Sequence, residues 1–308
     1  MLTNGRTGWK KALPFLLPSL IGLFLFSFLP ILISLLISLT SWTGMSRVSL
    51  TSGFFTFIKD NFIGLENFKN ILSDKEVYKV ISHNFYFIIL YLPLMIILSL
   101  SEALIINSSY KGSNTYRIIF YIPVLTSWVA GALIWKWLFS PTYGPINNLL
   151  LSFGIEGSLW LQSETMAMPS IAIASIWKDL GFYAMIFLGG LRSINPSYYE
   201  AANIDGATTW QRFRKITLPM LSPITFYIVM LSLINAFQLF PQVMVMTKNG
   251  DAGPNGATMV MVERIYKYAF RYGKMGYAAA FSWVLFTIIF FFTYLQRKIE
   301  KKWVNYDV

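Results

Sequence analysis

Residues 200–219 read EAANIDGATTWQRFRKITLP, a polar stretch between the apolar runs at about 168–190 and 221–246. A loop that joins two membrane spans is normally short and featureless. This stretch instead contains helix-start signals, a turn glycine and a cluster of cations. We therefore predict that it forms an ordered structural element between two spans.

The composition predicts a membrane protein. The chain has 308 residues, of which 55% are hydrophobic and 13% are charged, and its mean hydropathy is +0.54. Soluble domains contain about 25% charged residues. The long apolar runs account for the deficit, so we predict one polytopic membrane domain over residues 1–308. The net charge of +11 is compatible with a nucleic-acid partner, but the cations lie between apolar segments and not along one face, which argues against that partner.

Several chemistries are excluded by missing residues and motifs. The chain has no cysteine, so disulfides, cysteine metal sites and thiol nucleophiles cannot form. His83 is the only histidine, and we interpret it as a polar residue at the mouth of a span. The sequence has neither a G-x-x-x-x-G-K-[ST] phosphate loop nor an H-E-x-x-H motif. We predict no catalytic residue, no metal site and no cofactor bound by this chain.

Six segments reach the roughly 20 apolar residues that a spanning helix needs. They lie at about 13–40, 84–106, 117–139, 168–190, 221–246 and 277–295. The first is too long for the apolar core of a signal peptide and no small-residue cleavage site follows it, so we expect a retained span. Pro14, Pro18 and Pro30 predict kinks or a break within it. The predicted fold is all-α with six transmembrane helices.

The distribution of cations indicates the orientation, because short cytoplasmic segments are enriched in lysine and arginine. With six spans both termini lie on one side. The cations on that side, all in short segments, are Arg6, Lys10, Lys11, Lys111, Arg117, Arg192, Arg212, Arg214, Lys215, Arg297, Lys298, Lys301 and Lys302. The cations on the other side, in longer loops, include Arg47, Lys59, Lys69, Lys75, Lys79, Lys248, Arg264, Lys267, Arg271 and Lys274. We therefore predict cytoplasmic termini, with the loops at 41–82, 141–167 and 247–275 facing outward.

The loop at 191–220, called the EAA loop below, is predicted to form two short helices joined by a turn. Ser197 and Glu200 have the spacing of a capping box, and so have Thr208 and Gln211. The glycine of Asp205-Gly206 supplies a turn at little conformational cost. Two interpretations remain open: a surface that a partner contacts, or an amphipathic hairpin that rests on the headgroups.

The spacing E-A-A-x3-G-x9-I-x-L-P, from Glu200 to Pro219, resembles the EAA signature of permease subunits of ATP-binding-cassette importers. Further stretches resemble the carbohydrate-uptake branch: LRSI at 191–194, DGA at 205–207, WQRF at 210–213, GLENF at 64–68, WKWLF at 135–139 and YGPIN at 143–147. The whole chain is similar to the maltose and glycerol-3-phosphate permeases, specifically to the first of the two non-identical subunits.

This resemblance implies half of a sugar importer that works by alternating access. The implied partners are a second permease, two ATPase subunits that bind ATP and Mg, an extracytoplasmic sugar-binding protein and the bilayer. The EAA loop would be the coupling helix that contacts the ATPase. The resemblance assigns coupling to Glu200, Ala201, Ala202, Asp205, Gly206, Phe213 and Pro219. It also favours an oligosaccharide over a monosaccharide, although no residue identifies the sugar.

One departure from the family pattern leaves the last outer loop without an assigned role. The family often has a T-x-G-G-P run there, whereas residues 247–254 read TKNGDAGP. The outer loops are also too short to include the large inserted domain of some maltose permeases.

Polar residues within the predicted spans are candidates for a substrate pathway. A charge at the centre of a span costs about 2.5–3.5 kcal/mol on insertion scales, so such residues usually face a cavity or form a pair. Sugars bind planar polar groups through their hydroxyls and aromatic faces through their C–H surfaces. The candidates are Trp177, Lys178, Asp179, Tyr183, Asn235, Gln238 and Trp128. The alternative is hydrogen bonding between helices. For Glu102, near the end of the second span, we expect snorkelling or an ion pair.

Two other functions fit the sequence less well. A secondary transporter driven by an ion gradient would use carboxylates within the membrane, and Asp179 is the one candidate that we identify. A membrane-embedded enzyme, such as a lipid-linked transferase, would need clustered acids or histidines at the end of a span, and the sequence lacks such a cluster.

Overall fold

The computed structural model describes residues 5–44, 54–108, 113–247 and 251–304, and of residues 5–11, 54–55 and 113–114 it describes the backbone alone. Arg47, Lys111 and Lys248, which the orientation argument uses, lie outside these ranges, as do the side chains of Arg6, Lys10 and Lys11. Residues 248–250 of the last predicted outer loop lie outside them too.

Helices make up nearly all of the regular structure in the described ranges. In chain order they are α1 (Gly5–Leu23), α2 (Leu29–Ser38), α3 (Phe54–Asn61), α4 (Glu66–Ser73), α5 (Lys75–Asn107), α6 (Ser113–Leu125), α7 (Trp128–Leu138), α8 (Pro145–Ser152), α9 (Ala167–Ser193), α10 (Pro196–Ile204), α11 (Thr209–Arg212), α12 (Leu218–Met220), α13 (Ser222–Phe237), α14 (Pro241–Met246), α15 (Met261–Tyr266) and α16 (Met275–Trp303). Stretches of π-helix lie at Phe24–Phe28, Phe213–Thr217 and Lys267–Arg271.

Four helical segments in the described ranges are long and apolar enough to cross a membrane: Ala12–Ser38, Lys75–Asn107, Ala167–Ser193 and Met275–Trp303. Two bent pairs pass the same test, Thr115–Leu125 with Trp128–Leu138 and Thr209–Met220 with Ser222–Phe237. When each pair is counted as one span, the total is six. The prediction of an all-α fold is therefore confirmed for the described residues, and the four to six candidate spans agree with the six predicted.

The third and fifth spans are not the continuous helices that the apolar runs suggested. The third breaks by 101° between Leu125 and Trp128, where the Ser127 side chain accepts a 3.2 Å hydrogen bond from the Ala130 amide and starts a new helix. The fifth ends at Phe237, and α14 starts afresh with Pro241 in its first turn. Hydropathy cannot reveal such breaks, because a cap residue and a proline are both tolerated within an apolar run.

The described residues group into two compact units, 1–74 with 265–284 and 75–264 with 285–308. The single domain over 1–308 stays a prediction. In the first unit, α1 and α2 form one span through a π-helical turn, and it is not among the spans bent by more than 40°, so the break predicted from the prolines is not seen there. Asn67 donates hydrogen bonds of 2.8 Å to the carbonyls of Ser38 and Thr40, which satisfies the end of α2.

The second unit is built around α5 and α9. Both helices contribute large, fully buried side chains, among them Tyr91, Met95 and Phe187. A glycine allows α6 to approach α9 closely, because a Cβ at Gly181 would overlap the carbonyl of Phe120. The unit therefore has a close-packed wall in which a few polar side chains are enclosed.

Candidate functional site

A polar cavity of about 230 Å³ lies within the second unit, where α5, α7, α9 and the junction of α13 with α14 meet. Its walls are formed by Phe87, Tyr91, Trp128, Ser175, Asp179, Asn235, Ala236, Gln238, Leu239, Pro241 and Gln242. Four of these residues were predicted from the sequence: Trp128, Asp179, Asn235 and Gln238. The structure therefore brings candidates from three predicted spans to one place.

Asp179 is held at the cavity by a tyrosine on another helix. The hydroxyl of Tyr91 donates a hydrogen bond of 2.8 Å to Oδ2 of Asp179. The ammonium group of Lys178, the neighbour of Asp179 in sequence, donates its hydrogen bond to the carbonyl of Val124 at 3.0 Å and not to Asp179. Adjacent residues on a helix diverge by about 100°, and the two side chains follow that expectation.

Asn235 and Gln238 reach the cavity at the end of α13. The Asn235 side-chain amide donates a 3.2 Å hydrogen bond to the hydroxyl of Tyr183. Gln238 is the first residue after the helix, so the predicted i, i+3 relation holds at its last turn. Tyr183 is fully buried and is not part of the cavity lining.

Three candidates from the sequence lie outside the cavity lining: Trp177, Lys178 and Tyr183. Trp177 packs against Trp135 of α7, with ring centroids 5.8 Å apart and an interplanar angle of 71°. Their role in a substrate pathway stays a prediction. Sequence reasoning missed Tyr91, Ser175 and Gln242, because isolated polar residues in apolar runs have no spacing signal that separates them from ordinary packing.

The EAA loop forms the predicted helix, turn and helix, but its first cap differs. The side chain of Asn195 accepts a 3.0 Å hydrogen bond from the amide of Ser197, so Asn195 is the N-cap of α10 and Pro196 is in its first turn. The predicted capping box at Ser197 and Glu200 is therefore wrong. Asparagine is as good a cap as serine, and a proline directly after it is preorganised for the first helical position.

The turn and the second cap of the EAA loop are confirmed. Gly206 has φ +74°, a conformation that favours glycine. At the start of α11, the Thr208 amide donates to Gln211 Oε1 at 2.7 Å and the Gln211 amide donates to Thr208 Oγ1 at 3.3 Å, which is a complete capping box. The chain continues through the π-helix that begins at Phe213 and through α12, which has Pro219 in its first turn.

Internal hydrogen bonds fix the two halves of the EAA loop against each other. The hydroxyls of Tyr199 and Thr217 lie 3.0 Å apart. The guanidinium group of Arg212 donates to the side chains of Asn203 and Thr209. The contact of Tyr199 with Thr217 and the bond from Arg212 to Asn203 cross the turn, so the two helices are held against each other.

The outer surface of the EAA loop includes large apolar side chains that are exposed. Ile204 is 87% exposed and Trp210 is 65% exposed. Glu200, Ala201 and Asp205 are exposed as well, whereas Ala202 is half-buried. Beside them lies an open cleft of about 690 Å³, lined by Leu104, Tyr199, Thr209, Trp210, Arg212, Phe213 and Thr217. Single exposed apolar side chains are common on protein surfaces, but Trp210 also lines this cleft, which makes the cleft a candidate interaction surface.

Glu102 does not behave as the sequence suggested. Its side chain is buried, at 7% exposure, so it does not snorkel to a membrane surface. One of its carboxylate oxygens has no hydrogen-bond partner, and no ion pair with it is seen among the described side chains. His83 is half-buried, with Nδ1 3.1 Å from the carbonyl of Met259.

Comparisons with known proteins agree with this architecture. Residues 71–305 match the family described as binding-protein-dependent transport system inner membrane component. The chain is 35% identical to the probable ABC transporter permease protein YesP of Bacillus subtilis, over 100% of this chain and 99% of that protein. It is 30% identical to the arabinooligosaccharides transport system permease protein AraP of Bacillus subtilis, over 96% of this chain and 92% of that protein.

A solved structure has the same fold. A chain of a bacterial alginate ABC transporter, in complex with an alginate pentasaccharide-bound periplasmic protein, superposes with a TM-score of 0.80. The sequences are 22% identical, and the match covers 96% of this chain and 97% of that chain.

Proposed function

Because this chain belongs to the family of inner membrane components of binding-protein-dependent transport systems, the permeases of ABC transporters, we propose that it translocates a sugar, namely an oligosaccharide. The polar cavity is the observation on which this proposal depends. Asp179, Asn235 and Gln238 offer planar polar groups to sugar hydroxyls, and the Trp128 ring offers an apolar face.

The choice of an oligosaccharide is supported by relatives. AraP is named for arabinooligosaccharides, and the alginate transporter is described with a pentasaccharide bound to its periplasmic protein. The cavity in this chain, at about 230 Å³, is smaller than most ligand pockets. We propose that it contacts one part of a longer sugar, while a second permease subunit supplies the rest of the pathway.

We further propose that the EAA loop couples this chain to a separate ATPase. ATP with Mg binds to two ATPase subunits, and this chain binds no cofactor and catalyses no reaction. The loop is suited to transmit force because its two helices are joined by hydrogen bonds across the turn. The exposed surface around Glu200, Ala201, Asp205 and Gly206 is the part that contacts the ATPase, with Ala202, Phe213 and Pro219 behind it.

In this proposal both termini and the EAA loop are cytoplasmic, and an extracytoplasmic sugar-binding protein delivers the solute. Arg192, Arg214 and Lys215 are exposed in the loop region, and the enrichment of short cytoplasmic segments in lysine and arginine supports this orientation. Transport then proceeds by alternating access, in which nucleotide and loaded binding protein each favour one of two global states.

The proposal is tested with the purified importer, reconstituted with its ATPase subunits and binding protein and screened against a panel of mono- and oligosaccharides. We expect an oligosaccharide to stimulate ATP hydrolysis and to accumulate inside proteoliposomes. Uptake that persists without ATP under an imposed ion gradient would instead identify a secondary transporter. ATP hydrolysis stimulated by another class of solute would contradict the sugar assignment.

A further inference from the structure

The break in the third span leaves backbone groups that the protein must satisfy internally, because lipid offers them no hydrogen bonds. At the end of α6 the carbonyl of Pro123 accepts a hydrogen bond of 2.7 Å from the Thr126 hydroxyl. The carbonyl of Val124 accepts one of 3.0 Å from the ammonium group of Lys178 on α9. A cation is favourable at this position, because the C-terminus of a helix has a partial negative charge.

The helices α6 and α7 are the two arms of the break. The ammonium group of Lys178 contacts α7 as well as α6. Its nitrogen lies 5.5 Å from the centre of the Trp128 ring, and Trp128 is the first residue of α7. That distance is within the range of a cation–π interaction. Lys178 is 6% exposed, so its charge is enclosed by the protein, where it contacts both the last turn of α6 and the first turn of α7.

Two neighbours of Lys178 on α9 also contact the two arms, one on α7 and one on α6. Trp177 packs edge-on against Trp135 of α7. Gly181 allows the carbonyl of Phe120 on α6 to come into contact with α9. Residues 177–181 therefore fix both arms of the break, and Asp179 from the middle of the same segment lines the cavity together with Trp128.

We infer that Lys178 is a positioning residue, whose ammonium group joins the two arms of the broken third span and so places the Trp128 ring in the cavity wall. The inference rests on the proposed function, and it gives Lys178 a role other than contact with the sugar. The hydrogen bond to Val124 and the ring contact account for the group without any solute.

The geometry of the break can be measured directly, because the chain has no cysteine of its own. Cysteines introduced at Ile118 on α6 and Leu133 on α7, both exposed, accept spin labels in the complete importer in nanodiscs. We expect a single narrow distance distribution for the parent and for Lys178→Arg, which keeps the cation. For Lys178→Met we expect a broadened or shifted distribution.

Sugar dependence provides the second readout. Loss of a charged hydrogen bond, together with the misplaced ring, is expected to raise the half-saturating sugar concentration about tenfold for Lys178→Met, with a smaller change in maximal uptake. Lys178→Arg should restore most of the affinity. Trp128→Leu removes the ring and should raise the half-saturating concentration similarly, while the spin-label distances stay close to those of the parent. Trp128→Leu also tests the contribution of the Trp128 ring to sugar affinity if Lys178→Met does not insert into the membrane.

Lys136→Met is the matched control. Lys136 lies on α7 and its ammonium group donates a hydrogen bond of the same kind, 3.0 Å long, to the carbonyl of Val245. We expect this variant to keep both the distance distribution and the sugar dependence of the parent. Two results would overturn the inference: parent-like distances in Lys178→Met, whatever its sugar affinity, or equal broadening in Lys136→Met. If the importer does not transport sugar, the proposed function fails, but the distance measurement still decides the role of Lys178.

Discussion

The hydroxyl of Tyr91 on α5 donates a hydrogen bond of 2.8 Å to Oδ2 of Asp179 on α9, and both side chains line the cavity. This contact joins the two central helices of the second unit at the depth of the cavity. It supplies a partner to a carboxylate within a predicted span, where an unpartnered charge would be costly. The pair therefore stabilises the packing of α5 on α9 and fixes the acceptor oxygens of Asp179.

Replacement of Tyr91 by phenylalanine removes the donor and leaves the ring in place. A hydrogen bond to a charged group contributes about 1.5–3 kcal/mol, so we expect lower thermal stability and a rise of about tenfold or more in the half-saturating sugar concentration. Uptake into proteoliposomes and thermal unfolding in detergent measure the two effects. Tyr86→Phe is the control, because Tyr86 is on the same helix and exposed. Equal effects of the two variants would show that the bond to Asp179 is unimportant.

Variants of Asn235 and Tyr183 can distinguish two roles of Asn235 that the sequence left open, helix packing and sugar binding. If Asn235 acts only in helix packing through its 3.2 Å bond to Tyr183, then Asn235→Leu and Tyr183→Phe should weaken stability alike and leave sugar affinity unchanged. We expect a different result: Asn235→Leu should lower sugar affinity severalfold, and Tyr183→Phe should do so much less. Uptake kinetics of both single variants and the double variant measure the coupling between the sites. Unchanged sugar affinity in Asn235→Leu, or equal losses of affinity in the two single variants, would contradict a direct role for Asn235.

The extent of the spans and the EAA loop could be predicted, because both depend on local sequence. Apolar runs fix where helices can cross a membrane, and the Thr208–Gln211 pair formed the box that its spacing indicates. The cap at Asn195 was missed, since two overlapping cap signals compete and local spacing does not choose between them. Here the proline at 196 decides, because it is suited to the first turn of the helix.

The cavity could be predicted in part. Asp179, Asn235 and Gln238 are conspicuous because polar groups are rare in spans. Tyr91 gives no such signal, since a tyrosine in an apolar run is ordinary. The contact of Lys178 with Val124 depends on a break at Thr126 and Ser127 that hydropathy does not reveal. Contacts between helices that are distant in sequence require the packed structure.

The start of the EAA loop offers a test of the cap assignment. Asn195→Ala removes the acceptor for the Ser197 amide and should destabilise α10 by about 1 kcal/mol, whereas Ser197→Ala should change little. Amide hydrogen exchange over residues 195–205 measures the difference, with faster exchange expected for Asn195→Ala. The residues of α11 should be less affected, because their own cap stays intact. Faster exchange in Ser197→Ala than in Asn195→Ala would restore the rejected capping box.

The turn of the EAA loop provides a test of coupling. Gly206 has φ +74°, and a Cβ there would meet no neighbour within 4 Å, so a substitution acts through the backbone alone. Proline fixes φ near −65° and cannot adopt the turn. We expect Gly206→Pro to abolish uptake while the protein remains in the membrane, and Glu200→Lys to do the same by reversing an exposed charge at the contact that we propose with the ATPase.

Gly154 is a matched control for the backbone change, because it has φ +73° and equally open surroundings on another loop. Gly154→Pro imposes the same conformational conflict outside the EAA loop, and we expect it to retain uptake. Membrane content, copurification of the ATPase and ATP-dependent uptake are measured for all three variants. A loss of uptake in Gly206→Pro with full retention in Gly154→Pro attributes the defect to the coupling turn and not to general strain. Normal transport by both Gly206→Pro and Glu200→Lys would remove the assignment of coupling to this loop.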